Sequence, residues 1–155
     1  MAATAPPLLR GEMAPPFELR DALDHVVRRS GFRGLKQLVL LFLDPANPPR
    51  ELLAGLAARA TKLDHLDTEV LVILPLTEAE LSAAAAALNV PFRVLADPDL
   101  AACSRYAPVR SGAPVNTVVL LDQYGTAEER WISPALPTAE EVVDAAELRA
   151  IQCPE

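Results

Sequence analysis

The run Leu38-Val-Leu-Leu-Phe-Leu43, followed at once by Asp44-Pro-Ala-Asn-Pro-Pro-Arg-Glu51, constrains this chain most. Six consecutive apolar residues leave no polar side for water. A strand here is buried on both faces, the condition of a parallel sheet covered by helices. Six residues are also far too few to cross a bilayer. A proline-rich loop follows, and Pro48 and Pro49 fit a first helical turn, where a missing N–H costs nothing. Leu52, Leu56, Ala60 and Leu63 then recur at helical spacing, with Arg59, Lys62 and Asp64 polar between them. The spacing predicts a helix from Pro49 to His65.

The remaining elements complete that strand–loop–helix unit. Glu69–Leu74 is a second buried strand ended by Pro75. Thr77 and Glu80 have capping-box spacing and open an Ala-rich helix that stops near Asn89. Val90–Leu95 is a short strand or an extended link. Asp97-Pro98 places an N-cap acid before a first-turn proline, predicting a helix to about Tyr106. Thr117–Leu121 and Ala127–Ile132 read as a hairpin through the turn Asp122–Gly125. Thr138 and Glu141 form a second capping box, followed by a helix with Val142, Val143 and Ala146 on one side. Toward the N-terminus, Phe17–Arg20 and His25–Arg28 form a hairpin through Asp21–Asp24, a turn covers Ser30–Gly34, and the central strand starts near Lys36. Residues 1–13 read as a flexible arm and 14–155 as a single domain. The alternation predicts an α/β fold, a mixed central sheet with helices on both faces and an N-terminal β-hairpin.

Composition narrows the function. A net charge of −7 argues against nucleic acid, whose phosphates select basic surfaces. No stretch reads as a signal peptide or membrane span, so the expectation is a cytoplasmic protein with no membrane partner. Two cysteines, Cys103 and Cys153, make no disulfide framework for 155 residues. His25 and His65 lack a Cys or His at ligand spacing, so no metal is expected. Trp131 reads as packing or an interface anchor, and Asp64, Asp67 and Glu69 as a solvated face. No glycine-rich phosphate loop, Gly-x-Ser-x-Gly elbow or His-Glu-x-x-His occurs, and no cofactor is expected.

Several phrases carry a family resemblance. They are Ala14-Pro-Pro-Phe-Glu-Leu-Arg-Asp21, Ser30-Gly-Phe-Arg-Gly-Leu-Lys36, Leu95-Ala-Asp-Pro-Asp99, and Asn116-Thr-Val-Val-Leu-Leu-Asp122 with Tyr124-Gly125. In this order and spacing the chain resembles the peroxiredoxin group, the alkyl hydroperoxide reductase/thiol-specific antioxidant (AhpC/TSA) branch of the thioredoxin-like fold. Within it the likeness is greatest to the bacterioferritin-comigratory subgroup. The resemblance implies an antioxidant thiol oxidoreductase. A thiolate attacks peroxide and becomes a sulfenic acid, and a second thiol resolves it. It also implies a homodimer and a thiol reductant as partners. The family's nucleophile lies in a Pro-x-x-x-Thr/Ser-x-x-Cys loop at the start of the first long helix. An Arg from a later strand joins it. The helix N-terminus and the Arg lower the thiol pKa, and the hydroxyl and Arg hold the peroxide.

The chain departs from that pattern at each of these positions. With Pro45 as the first residue of the motif, the hydroxyl position falls on Pro49 and the cysteine position on Leu52. Other registers find no cysteine either, because none occurs before position 103. The Arg position counts back to Asn116, and Pro114 lies two residues earlier. The expectation is a degenerate active site, inactive as a standard peroxidase. Asp44, Asn47, Pro49, Arg50 and Asn116 are the candidates for what remains of the pocket, though Asp and Asn also serve ordinary loop geometry. Two thiols are candidates for non-standard redox chemistry. Cys103 lies where some family members keep a resolving thiol, with Arg105 nearby in sequence; it equally suits a small packed hydrophobe among alanines. Cys153, in Ile151-Gln-Cys-Pro-Glu155, resembles the Val-Cys-Pro of a resolving cysteine; it equally suits an exposed terminal thiol of no defined role. The alternative to redox chemistry is a non-catalytic binding or dimerisation module on the same scaffold.

Overall fold

The computed structural model describes residues 10–152. Its strands are β1 (Glu18–Asp21), β2 (Val26–Arg28), β3 (Gln37–Phe42), β4 (Thr68–Leu74), β5 (Arg93–Ala96), β6 (Val109–Arg110), β7 (Ala113–Pro114), β8 (Thr117–Leu121) and β9 (Ala127–Ile132). Its α-helices are α1 (Arg50–Ala58), α2 (Ala60–His65), α3 (Glu78–Leu88), α4 (Cys103–Tyr106) and α5 (Ala139–Gln152). Seven strands form one sheet in the order β2-β1-β5-β4-β3-β8-β9, and β6 and β7 form a separate small ribbon. The three central strands β3, β4 and β5 run parallel, while β1, β8 and β9 pair antiparallel with their neighbours. This is the mixed, doubly covered sheet that the uninterrupted apolar runs imply, with β1 and β2 as the N-terminal hairpin.

Alternate residues of β3 serve two cores. Val39, Leu41 and Leu43 face Leu52, Leu53 and Leu56 of α1, Leu63 of α2, Leu81 of α3 and Val142 of α5. Leu38, Leu40 and Phe42 face the other way, toward Phe17, Cys103 and Tyr106. Burying each such Leu stabilises the fold by roughly 1.5–3 kcal/mol. Tyr106 is fully buried, stacked on Phe42 at 4.9 Å and edge-on to Phe17 at 6.3 Å, with its hydroxyl donating to the Pro15 carbonyl. Trp131 lies on the edge strand β9, half-buried against the first core.

Both capping boxes form. Thr77 Oγ1 accepts from the Glu80 N–H at 3.3 Å and Glu80 Oε1 accepts from the Thr77 N–H at 2.9 Å. Thr138 and Glu141 repeat the exchange at 3.1 and 2.8 Å. The turn of the β8–β9 hairpin is held by Asp122, whose Oδ1 accepts the N–H groups of Tyr124 and Thr126, both at 2.9 Å.

Two expected helices come out differently. The helix expected over 49–65 breaks at Arg59. Arg59 Nη1 donates to the Gly55 carbonyl at 3.0 Å, the acceptor its own backbone N–H would use in a continuous helix. That N–H bonds to the Leu56 carbonyl instead, tightening the turn and starting α2 afresh. The helix expected from Asp97-Pro98 is only the single turn of α4. Leu100 adopts a left-handed backbone, φ +59°, which a continuous helix forbids. Asp97 still caps, but from a distance: its carboxylate accepts the N–H groups of Ala102 at 3.3 Å and Cys103 at 2.7 Å.

Of the expected N-terminal arm, residues 1–9 lie outside the described residues. Gly11, Glu12 and Met13 at its end lie against the hairpin turn, with the Gly11 N–H donating to the Ala127 carbonyl at 2.7 Å. The peptide bond before Pro114 is trans; among the described residues the cis bond is Ser133–Pro134.

Candidate functional site

The loop Asp44–Pro49 leaves β3 at the C-terminal edge of the sheet and delivers the chain to α1. It folds on itself. The Asp44 carbonyl accepts the Asn47 N–H at 3.0 Å, and Asp44 Oδ1 accepts the Ala46 N–H at 3.0 Å. Pro49 precedes the first turn of α1 and offers no side-chain acceptor to its free N–H groups.

Asn116 ties this loop to the neighbouring strand. Register pairs Phe42 with Thr117, so the residue before β8 falls beside the exit of β3. The Ser133 N–H donates to the Asn116 carbonyl at 2.9 Å and fixes it from the other side. Asn116 is 7% exposed. Its Oδ1 accepts the Asp44 N–H at 2.7 Å, and its Nδ2 donates to the Asn47 carbonyl at 2.8 Å. Those partners settle the amide orientation, since one is only a donor and the other only an acceptor. A guanidinium could not replace it. Arg has five donors and no acceptor, so it could not take the Asp44 N–H. The side chain here is matched to the loop's own backbone.

Asp44, Asn47 and Asn116 are therefore joined by direct hydrogen bonds. Pro49 and Arg50 sit on two sides of the start of α1. Pro49 lines a groove of about 440 Å³ with Glu51, Leu52, Gly55 and Arg59 on one wall and 136–140 on the other. Arg50 lines a separate hollow of about 180 Å³ with Leu53, Leu88 and Asn89. The larger groove was not legible in the sequence, because it needs α5 to start against the middle of α1. Gly55 is the one hint: a Cβ there would stand 2.7 Å from the Ala139 Cβ, so the close approach requires glycine.

Of the candidate thiols, the one among the described residues lies elsewhere. Cys103 is 2% exposed in the second core, on the opposite face of β3 from α1. Burial, with the Asp97 carboxylate adding to it, pushes its thiol up to about 12, so at neutral pH it carries its proton. Arg105 does not offset this. Cys153 lies outside the described residues. No group of three His, Cys, Asp or Glu side chains is placed to hold a metal among the described residues. None of their helices is long and apolar enough to cross a membrane.

A family model for the AhpC/TSA family matches residues 10–130. The chain belongs to the AhpC/TSA family. A search of curated proteins finds no match. Among solved structures, the AhpC/TSA chain is similar to peroxidoxin BcpB from Mycobacterium tuberculosis, with a TM-score of 0.77 at 15% identity over 93% of this chain and 97% of that one. AhpC from Enterococcus faecalis gives 0.77 at 20% identity, over 96% and 97%. A putative protein disulfide isomerase from Bacteroides thetaiotaomicron gives 0.77 at 18%, over 96% and 93%. At these identities the likeness is one of fold: the thioredoxin-like architecture of peroxiredoxins is present over nearly the whole AhpC/TSA chain.

Proposed function

We propose that this AhpC/TSA-family protein does not carry out the family's thiol peroxidase reaction at the β3–α1 loop. One observation carries the reading. Asn116, at the position of the family's Arg, uses its amide oxygen and nitrogen to close a loop that holds no thiol. In the register that starts the family's motif at Pro45, the resemblance puts Pro49 at the hydroxyl position, Leu52 at the cysteine position and Asn116 at the guanidinium position, so all three groups are missing together. A site that had lost only its cysteine would keep the peroxide-binding groups. The fold likeness to BcpB supports the bacterioferritin-comigratory subgroup as origin. A cytoplasmic location agrees with this reading.

Steady-state peroxide consumption with a thiol reductant tests it. The expected rate equals that of reductant alone, unchanged by Cys103→Ser or Cys153→Ser. Turnover abolished by either substitution establishes instead a non-standard thiol enzyme with a reductant as partner.

The groove between α1 and the start of α5 favours a second reading, a non-catalytic binding or dimerisation module. It adjoins the closed loop, has an apolar floor of Leu52, Leu136 and Ala139, and carries Glu51, Glu140 and Arg59. Sedimentation equilibrium tests the homodimer. A dimer that the exposed groove-wall changes Glu51→Arg and Glu140→Arg convert to folded monomer supports it; a monomer at all concentrations rejects it.

A further inference from the structure

At the opposite end of the sheet from the closed loop, Met13 lies over the β8–β9 turn. We infer that Met13 is a site of oxidation by hydrogen peroxide, and that Arg29 captures the resulting sulfoxide. The thioether is accessible, with Met13 53% exposed. Its backbone is nevertheless fixed: Met13 bridges Thr126, the Ala14 N–H donates to the Gly125 carbonyl at 2.8 Å, and the Ala127 N–H donates to the Glu12 carbonyl at 2.8 Å. Arg29 Nη1 approaches Met13 Sδ at 4.0 Å. A thioether is a weak acceptor, and Arg29 Nε is buried with no hydrogen-bond partner among the described residues. The donor facing this oxidisable sulfur is Nη1, which meets only a weak acceptor there, while Nε of the same guanidinium is the unpartnered atom.

Gly125 makes this arrangement possible. It adopts φ +88°, and Arg29 Nη1 occupies the space its Cβ would need. Met13 Sδ stands 3.3 Å from that same position. Cation and sulfur therefore share the surface of one side-chain-free turn.

The chemistry is a two-electron oxygen transfer. A sulfur lone pair attacks one peroxide oxygen, an S–O bond forms and the O–O bond breaks. The departing hydroxide takes the proton of the transferred hydroxyl and leaves as water. Sulfur is oxidised by two electrons and the peroxide is reduced by two. The product oxygen is a strong acceptor, and an S–O bond directed at Nη1 brings that oxygen within hydrogen-bond distance of it. A neutral contact becomes a hydrogen bond to a charged donor, which holds 11–14 more tightly against the turn.

The test treats the full-length protein with hydrogen peroxide in the presence of N-acetylmethionine amide as an internal reference. Mass spectrometry of the tryptic peptide 11–20, whose only methionine is Met13, reads the modification. Amide exchange at Gly11 and Ala14 reads the capture. Met13 should oxidise, more slowly than the fully exposed reference because its thioether is half-covered, and its oxidation should slow exchange at both amides by roughly tenfold, the scale of a charge-assisted hydrogen bond. Arg29→Leu should leave the modification and abolish the slowing. Met13→Leu, a milder change that keeps Arg29, should make both amides insensitive to peroxide. Met13 remaining unoxidised while the reference is consumed overturns the inference. So does exchange that is unchanged or faster in the oxidised protein.

Discussion

Asn116 holds Asp44 from the next strand: its Oδ1 accepts the Asp44 N–H at 2.7 Å while its Nδ2 reaches the Asn47 carbonyl at 2.8 Å. Each half of the amide satisfies one end of the loop. Asn116→Asp keeps the acceptor and loses the donor, so the Asn47 carbonyl is left without its partner. Asn116→Arg loses the acceptor and buries a cation. Urea denaturation should show Asn116→Asp destabilised by about 1–3 kcal/mol, and Asn116→Arg by more. In both, the Asp44 amide should be compared by hydrogen exchange. It stays protected in Asn116→Asp and becomes unprotected in Asn116→Arg. Equal loss in the two variants would mean the loop does not depend on the acceptor.

Gly55 and Ala139 set the approach of α1 and α5. Gly55→Ala improves helix propensity by about 1 kcal/mol. It also drives a Cβ to 2.7 Å from that of Ala139, a contact that packed cores relieve at a cost of about 1–3 kcal/mol. The expected net effect is destabilisation. The double variant Gly55→Ala/Ala139→Gly should recover most of the loss from packing, measured as a non-additive term in a double-mutant cycle. A Gly55→Ala variant more stable than the parent would show that α5 yields freely.

Tyr106 contributes a ring and a hydroxyl separately. Tyr106→Phe keeps the stacking on Phe42 and removes the donor to the Pro15 carbonyl. A loss of about 1–2 kcal/mol in thermal or urea unfolding is expected. Tyr106→Leu should cost more, because the aromatic pairs with Phe42 and Phe17 go with it.

The buried Cys103 thiol makes stability sensitive to alkali. Its folded value is pushed from 9.0 up to about 12, chiefly by burial and then by Asp97. Between those values the unfolded chain releases the proton and the folded one retains it. The contribution is complete below pH 9 and is lost as pH rises toward 12. Cys103→Ala should flatten the fall in stability over that window, read from urea midpoints at pH 8, 9 and 10. An unchanged slope would place the alkaline loss on other groups.

The fold was legible because its signals are local. The apolar run Leu38–Leu43, the two Thr-x-x-Glu boxes and the Asp122–Gly125 turn each specify an element from a few adjacent residues. Signals that act across the sequence were misread. Asp97 looked like the cap of a helix starting at Pro98, yet it caps Cys103 six residues on, since Leu100 turns the chain left-handed between them. The break at Arg59 depends on a long side chain returning to its own helix, which periodicity does not reveal. At the site, the missing cysteine could be read directly. The loop's tie to the next strand could not: the hydrogen bond from Asp44 to Asn116 spans 72 residues and exists only once β8 lies beside β3. The groove of Gly55 and Ala139 likewise needs two helices to meet.

The central claim, that peroxide finds no reactive thiol at or behind the β3–α1 loop, is tested most directly by trapping. The native protein, carrying Cys153→Ser so that Cys103 is its one thiol, is treated with hydrogen peroxide in the presence of dimedone and its intact mass is measured. The account predicts no dimedone adduct on the folded protein. A stoichiometric adduct at Cys103 under native conditions would contradict it.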